Sequence, residues 1–438
     1  MDRDDEEMLR YLGCEDIDAL FTDIPKEVMI DGLDIPPGIP EMELLPLVRE
    51  ILSKDTAASS VASFLGAGIY DHYVPAAVRA IVSRSEFLTS YTPYQPEISQ
   101  GMLQALFEFQ SLISELTGME AVNSSMYDCA TAIAEAALMA CRVTGRHEFI
   151  VPRGMWWERK DVLRNYCDAA GIKIREYPWE RSSGRGALDD LQITDDTAGL
   201  YIETPNLFGV LEDMRGLKER LGTALLVVGV NPVTLALLKP PSEYGADIVV
   251  GEGQPLGIGM NFGGPTLGLF ACRKEYVRKM PGRIVGLTSD VEGRRGFCLV
   301  LQTREQHIRR HKATSNICTN HALSALQAAA YISLMGSDGL RKVAMASMES
   351  AHLLAEELRA LEGYKVPLFS GPFFNEFMIQ SPINAQDLVR AALRHNVYAG
   401  VPLSSLSEQW LLVSCTERSS PEKRRALLHA LRSAGNGI

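Results

Sequence analysis

A chain of 438 residues, 46% hydrophobic and 22% charged, is long enough to bury a deep core over roughly two or three domain-sized units. Its formal net charge of −12, with no basic stripe interleaved with aromatics, excludes a nucleic-acid partner, because phosphate binding needs a cationic surface. No apolar run reaches membrane-span length, and the start Met1-Asp2-Arg3-Asp4-Asp5-Glu6-Glu7 is acidic where a leader is basic, so a cytoplasmic protein is expected. Cys14, Cys129, Cys141, Cys167, Cys272, Cys298, Cys318 and Cys415 are scattered without a C-x-x-C pair and read as reduced, mostly buried thiols.

The first forty residues are acidic and end in Ile35-Pro36-Pro37-Gly38-Ile39-Pro40, which reads as an extended arm of the kind that wraps a partner subunit. Leu103, Leu106, Phe107, Phe109, Leu112, Ile113 and Leu116 recur at helical spacing within 97–117, and Gly118 closes that helix. A second helix, rich in alanine, is expected over 128–144. Short apolar runs at 148–151, 172–177, 199–202, 225–228, 248–250, 267–271 and 297–301 predict buried strands separated by helices or turns, hence an α/β domain on a mostly parallel sheet. Helices over 322–334 and 340–361 then lead to strands near 373–379 and 410–414 and helices over 384–395 and 421–433. The expected division is an arm with the first helices over 1–60, a large domain over 61–330, and a joining helix with a small α+β domain over 331–438.

The segment Arg304-Glu305-Gln306-His307-Ile308-Arg309-Arg310-His311-Lys312-Ala313-Thr314-Ser315-Asn316 concentrates cations and hydroxyl or amide acceptors ahead of a helix. It suits an anion, or else is a solvated basic stretch with an ordinary N-cap. His307 and His311 share one helix face with His321 nearby, but the zincin glutamate is missing and clustered arginine repels a dication. Gly251-Glu252-Gly253 and Gly257-Ile258-Gly259 do not complete a dinucleotide fingerprint, and no P-loop lysine occurs. In 91–101, Tyr91, Tyr94, Gln95 and Glu97 supply donors and acceptors on a backbone stiffened by Pro93 and Pro96; the plainer reading is a proline-punctuated lead into the next helix. Asn123-Ser124-Ser125-Met126-Tyr127-Asp128 reads as a helix cap, since it lacks glycines for close phosphate approach and Asp128 repels an anion. Lys239, Lys312, His72 and Arg283 rank lower as anion contacts.

The wording RExHIRRxKATSNICT over 304–319, together with Phe64-Leu65-Gly66-Ala67-Gly68-Ile69-Tyr70-Asp71-His72-Tyr73-Val74-Pro75, the 91–101 and 123–128 segments, 245–257, Phe262-Gly263-Gly264-Pro265 and Arg278-Lys279-Met280-Pro281-Gly282-Arg283, resembles the glycine decarboxylase P-protein family. The match is to its amino-terminal half, or to the first subunit of its two-subunit form. The resemblance implies a fold-type I pyridoxal-phosphate (PLP) transferase-like fold, with a mostly parallel seven-stranded large domain and a small α+β C-terminal domain. In that fold a lysine ahead of a glycine-rich turn holds the cofactor, because an amine is needed for the Schiff base. Here no lysine occurs between Lys239 and Lys274, the position falls on Gln254, and the strand at 225–230 ends without the carboxylate expected to face the cofactor ring.

The expectation is therefore a subunit without a catalytic residue, covalent cofactor or metal of its own. The resemblance implies a second subunit carrying PLP, an α2β2 assembly, glycine as substrate and the lipoylated H-protein as acceptor of the aminomethyl group. It also implies that Tyr91, Tyr94, Gln95, Glu97 and His72 reach the partner's active site, and that Thr314, Ser315, Asn316 and Lys312 reach its cofactor, most simply the phosphate. A stand-alone PLP enzyme using Lys312 or another lysine, a purely structural scaffold and a nicotinamide dehydrogenase remain as alternatives.

Overall fold

The computed structural model describes residues 3–435 apart from Asp31 and Cys318, with the side chains of Arg3 and Ser59 also left aside. The chain divides into two units, Met1–Ala57 and Ala58–Ile438. The first holds α1 (Arg3–Leu12) and α2 (Glu41–Leu52), joined through short 3-10 turns and the proline-rich 35–40 stretch, where repeated proline removes donors and prevents regular structure. Among its described residues only Leu9 is buried, while Tyr11, Met42, Ile51 and Leu52 are exposed, so the unit has no hydrophobic core of its own.

The second unit opens with β1 (Ala62–Ser63), α3 (Ala76–Val82), α4 (Ser85–Leu88) and α5 (Gln100–Thr117). β2 (Ala121–Val122) and α6 (Cys129–Thr144) lead into β3 (Glu148–Pro152), α7 (Trp157–Ala170), β4 (Lys173–Tyr177), β5 (Thr197–Thr204), α8 (Leu217–Leu221), β6 (Leu225–Val230), β7 (Ile248–Glu252) and β8 (Gly268–Cys272). The seven-stranded sheet runs β2-β8-β7-β6-β5-β3-β4, parallel from β7 to β4 and antiparallel where β8 meets β7 and β2. Successive residues face opposite layers: Leu226 and Val228 pack with Leu103, Leu106 and Tyr331, while Leu225 and Val227 pack with Ile133, Ala136 and Leu163. This is a three-layer α/β/α arrangement, and its strand runs are continuously apolar because both faces are covered.

One predicted strand belongs elsewhere. Residues 297–301 fall largely in β10 (Arg295–Val300), which pairs antiparallel with β9 (Ile284–Ser289) in a separate ribbon. Gln110 of α5 holds that ribbon through both ends of its amide, donating to the Val285 carbonyl at 3.0 Å and accepting from Val285 N at 2.9 Å. The seventh place in the central sheet goes to β2, two residues long and too short to leave a periodic signal.

After α9 (Gln306–Arg309) comes α10 (Ala322–Arg359), interrupted at Gly336, where φ 60 and ψ −175 break the helical run as the two predicted segments require. β11 (Glu376–Gln380), α11 (Ala385–Leu393), β12 (Val397–Tyr398), β13 (Val401–Pro402), β14 (Trp410–Ser414) and α12 (Pro421–Gly435) complete the chain. β11, β14 and β13 form an antiparallel sheet, and β12 pairs in parallel with β1, so the segment opening this unit joins its last part. No helix of the described residues is long and apolar enough to cross a membrane.

Asp128 caps α6 as its residue type predicts: its carboxylate accepts from Thr131 N at 2.7 Å, and Thr131 Oγ1 accepts from Asp128 N at 3.3 Å. Asp128→Ala is expected to lower stability by about 1 kcal/mol in denaturant unfolding, and Asp128→Ser by much less. Equal losses in the two variants would show that the cap contributes nothing.

Candidate active site

The carboxyl ends of parallel strands are where α/β folds place ligands. Here the ends of β5, β6 and β7 bring Glu203, Asn231 and Glu252 together, and Tyr70, Arg159 and Glu376 close over them. The space left is a cavity of about 20 Å³, near the minimum for one water and far below the ~300–1,000 Å³ of ligand pockets. Arg159 is ion-paired with Glu203. Glu376 Oε2 accepts from the Tyr70 hydroxyl at 2.7 Å and Oε1 accepts from Ala67 N at 2.7 Å. Gly66 and Gly68 explain the glycines of the 64–75 segment: a Cβ would run into Glu376 at the first and into Arg159 at the second, and Gly68 also has φ +96.

Gln254 lies beneath this cluster and is buried. Its Oε1 accepts from Tyr70 N at 2.9 Å, and its Nε2 donates to the Tyr70 carbonyl at 2.9 Å and to the Ile258 carbonyl at 2.7 Å. Glu252 sits at the start of α6, accepting from Cys129 N at 3.2 Å, Gln254 N at 3.0 Å and Leu267 N at 2.9 Å. A carboxylate thus occupies the helix N-terminus, the position suited to an anion.

Burial raises the Glu252 carboxyl to about 7, against the three N–H donors and the Arg159 charge. Burial likewise raises Glu376 to about 7, opposed by its bonds from Ala67 and Tyr70 and by Arg159.

A second assembly joins most of the sequence motifs. Arg283, buried, donates to the Tyr94 hydroxyl, lies 4.8 Å over the Tyr94 ring, pairs with Glu305 at 3.5 Å and reaches Asn320 Oδ1 at 3.5 Å. Asn320 donates to Ser125 Oγ at 2.8 Å. His321 Nδ1 is 2.7 Å from the Thr266 carbonyl, which can only accept, so that nitrogen carries the proton. The Tyr127 ring packs against His321 at 5.7 Å and the His307 ring against Tyr94 at 5.8 Å. Arg309, Arg310, His311 and Lys312 beside it are exposed, and none has a carboxylate within ion-pair reach among the described residues.

The expected site residues divide accordingly. Tyr91, Tyr94, Gln95 and Glu97 are exposed, as are Lys312 and Asn316, and Thr314 is half-buried. His72 does not face outward: it is buried, with Nδ1 2.7 Å from Glu417 Oε2. That hydrogen bond holds the Glu417 carboxyl below its usual value although burial opposes it.

Ser315 is also turned inward, donating to Glu135 Oε1 at 3.0 Å and accepting from Ile317 N, so its hydroxyl is committed within this chain. Among the described residues Arg304 forms no ion pair within reach: its guanidinium is buried on the carbonyls of Met280 and Gly282. Thr314 to Asn316 do not cap α10, whose N-cap is His321 without a side-chain bond. Lys239 is paired with Glu243 on the surface. Among the described residues no group of three or more His, Cys, Asp or Glu side chains is placed to hold a metal; Cys318 lies outside them. Sequence reasoning missed Arg159, Glu203, Glu252 and Glu376 because their partners are distant along the chain, and it ranked Arg283 low because only Tyr94, Glu305 and Asn320 around it reveal its place.

The sequence profile described as glycine cleavage system P-protein matches residues 1–431. The chain belongs to that family. It is 46% identical to the probable glycine dehydrogenase (decarboxylating) subunit 1 of Chlorobium limicola, over 98% of each protein. It is likewise 46% identical to the protein of the same name from Carboxydothermus hydrogenoformans, over 97% of this chain and 96% of the relative. A crystal structure of glycine decarboxylase (P-protein) of the glycine cleavage system in inhibitor-bound form superposes with a TM-score of 0.94 at 43% identity, covering 99% of this chain and 98% of the other.

Glutamate decarboxylase from Lactobacillus brevis, at 13% identity and a TM-score of 0.71, shares the fold alone. The fold is that of fold-type I PLP enzymes, yet the crevice of this family member does not fit PLP. Among the described residues no lysine lines it, the Gln254 amide is committed to Tyr70 and Ile258, a carboxylate holds the helix N-terminus, and about 20 Å³ of space remains.

Both buried carboxyls hold their proton more tightly than the usual 4.5. Stability tied to them is therefore complete below about pH 4.5 and is lost as pH rises through about 7. Thermal midpoints should fall between pH 5 and pH 8, and Glu376→Gln, whose amide oxygen can still accept from Ala67 N while its NH2 donates to the Tyr70 hydroxyl, should flatten part of that fall. An unchanged slope in the variant would rule out Glu376 as its source.

Proposed function

We propose that this chain is the first, cofactor-free subunit of a two-subunit cytoplasmic glycine dehydrogenase (decarboxylating), paired with a PLP-bearing second subunit in an α2β2 assembly. The observation that carries the reading is Gln254, whose amide engages Tyr70 and Ile258 where a Schiff-base lysine is required. When bound to the partner, PLP supplies the electron sink for decarboxylation of glycine, and the aminomethyl group passes to the lipoyl arm of the H-protein.

This chain's contribution is positional. Tyr94, held by the Arg283 guanidinium, and the exposed Tyr91, Gln95 and Glu97 line a face that closes over the partner's site. The Thr314 hydroxyl, Asn316 and the cations Arg309, Arg310 and Lys312 suit a dianionic phosphate, because neutral donors orient it and cations offset its charge. Ser315 supports this segment from within by its bond to Glu135.

Borohydride reduction of the isolated chain with PLP should give no stoichiometric phosphopyridoxyl-lysine on peptide mapping, and glycine decarboxylation should require the second subunit. A single labelled lysine overturns the reading. In the reconstituted complex Thr314→Ala should weaken PLP binding roughly ten- to a hundredfold, the effect of one hydrogen bond to a charged group of about 1.5–3 kcal/mol. Ser315→Ala should instead lower the chain's own stability by about 1–3 kcal/mol, because Glu135 loses a buried partner. Unchanged PLP affinity in Thr314→Ala would remove the hydroxyl from the cofactor site.

A further inference from the structure

We propose that Gln100 is a positioning residue for the decarboxylation, fixing the 91–99 segment to the β9–β10 ribbon; the inference rests on the function proposed above and deepens it. Gln100 is the first residue of α5. Its Nε2 donates to the Pro96 carbonyl at 2.7 Å and to the Phe297 carbonyl at 2.8 Å, and its Oε1 accepts from Phe297 N at 2.9 Å. Both amide hydrogens are thus committed, one to the proline-punctuated segment and one to β10.

The segment has little else to hold it. Pro93 and Pro96 have no N–H to donate, and the backbone bonds within it are local turns: Tyr94 N to the Thr92 carbonyl at 2.9 Å, Ile98 N to the Gln95 carbonyl at 3.3 Å and Ser99 N to the Pro96 carbonyl at 3.2 Å. Among the described residues it pairs with no strand. The two ties from the ribbon are therefore decisive. Arg283, immediately before β9, donates to the Tyr94 hydroxyl, and Gln100 joins Pro96 to Phe297 of β10. Gln95 stands between the tied residues and Glu97 directly follows them. A segment held at one point can pivot, whereas one held at two keeps its direction, which is what positioning over a reaction requires.

Gln110 supplies an internal comparison. It lies on the same helix and grips the same ribbon through both ends of its amide, at Val285, but among the described residues it makes no hydrogen bond to 91–99. Gln110 is buried, and Gln100 is exposed. Removing a buried amide leaves the Val285 N–H and carbonyl without partners, whereas water can replace an exposed one. Gln100 thus contributes less to folding than to the direction of the segment it holds.

The test compares Gln100→Ala, Gln100→Glu and Gln110→Ala in the isolated chain and in the reconstituted two-subunit complex. Gln100→Glu keeps the shape of the side chain but, ionised, has no hydrogen for either carbonyl. In the isolated chain, hydrogen exchange followed by mass spectrometry should quicken over 91–99 in both Gln100 variants, while denaturant unfolding should show the larger loss of stability in Gln110→Ala. In the complex, turnover at saturating glycine, counted per assembled complex, should fall about two- to tenfold in both Gln100 variants and less in Gln110→Ala. Loss of folded protein alone does not change turnover per complex. Equal falls, or the opposite ranking, would make Gln100 a clamp of the ribbon only and overturn the proposal, as would full turnover in Gln100→Glu. Natural chains that form no active complex refute the underlying function instead, and that result precedes any substitution.

Discussion

Glu252 is the residue on which the interior of this protein depends. A carboxylate buried in low dielectric is unfavourable unless it is met by charge or by donors, and here three backbone N–H groups from the start of α6, the loop after β7 and the approach to β8 converge on it. Those same three points position what lies above them. Cys129 lies two residues after Tyr127, Leu267 follows Thr266, and Gln254 reaches to Tyr70. One side chain thereby couples the filled crevice to the outward face on which Tyr127, Thr266 and His321 meet.

Much of the architecture was legible because the strands of a doubly covered sheet must be continuously apolar and the helices between them must show a stripe. The runs at 148–151, 199–202, 225–228 and 248–250 are all in the central sheet. What failed at 297–301 failed for a physical reason: an apolar run states that a segment is covered, not which sheet it joins, and β10 pairs with β9 in a ribbon covered by α5, outside the central sheet. The missing lysine was equally legible, since the chemistry of the amine is specific. What replaced it was not, because Tyr70, Arg159, Glu203 and Glu376 act on one another across up to 306 residues of sequence separation, and no spacing rule covers such distances.

The signature segment shows the same limit at finer scale. Its residue types announce hydrogen bonding and charge, but they do not say in which direction each side chain points. Arg304 and Ser315 turn inward and hold the segment to the large sheet's helices and loops, whereas Arg309, Arg310 and Lys312 turn outward. A functional surface needs both kinds, and outward groups can be placed only because inward ones of similar chemistry fix the backbone beneath them.

The pairing of Gln254 with the Tyr70 backbone constrains what substitution at this position can achieve. With its carbonyl accepting from Tyr70 N and its amide donating to Tyr70 O, the side chain imitates a neighbouring peptide in a β ladder. Restoring an amine at this one position would break that pairing while Glu252 still held the helix terminus and Arg159 and Glu203 still filled the crevice. Each single step toward a cofactor-holding crevice therefore weakens the fold before any such chemistry can arise. The filled crevice behaves as a ratchet, held by packing and not by the identity of one residue.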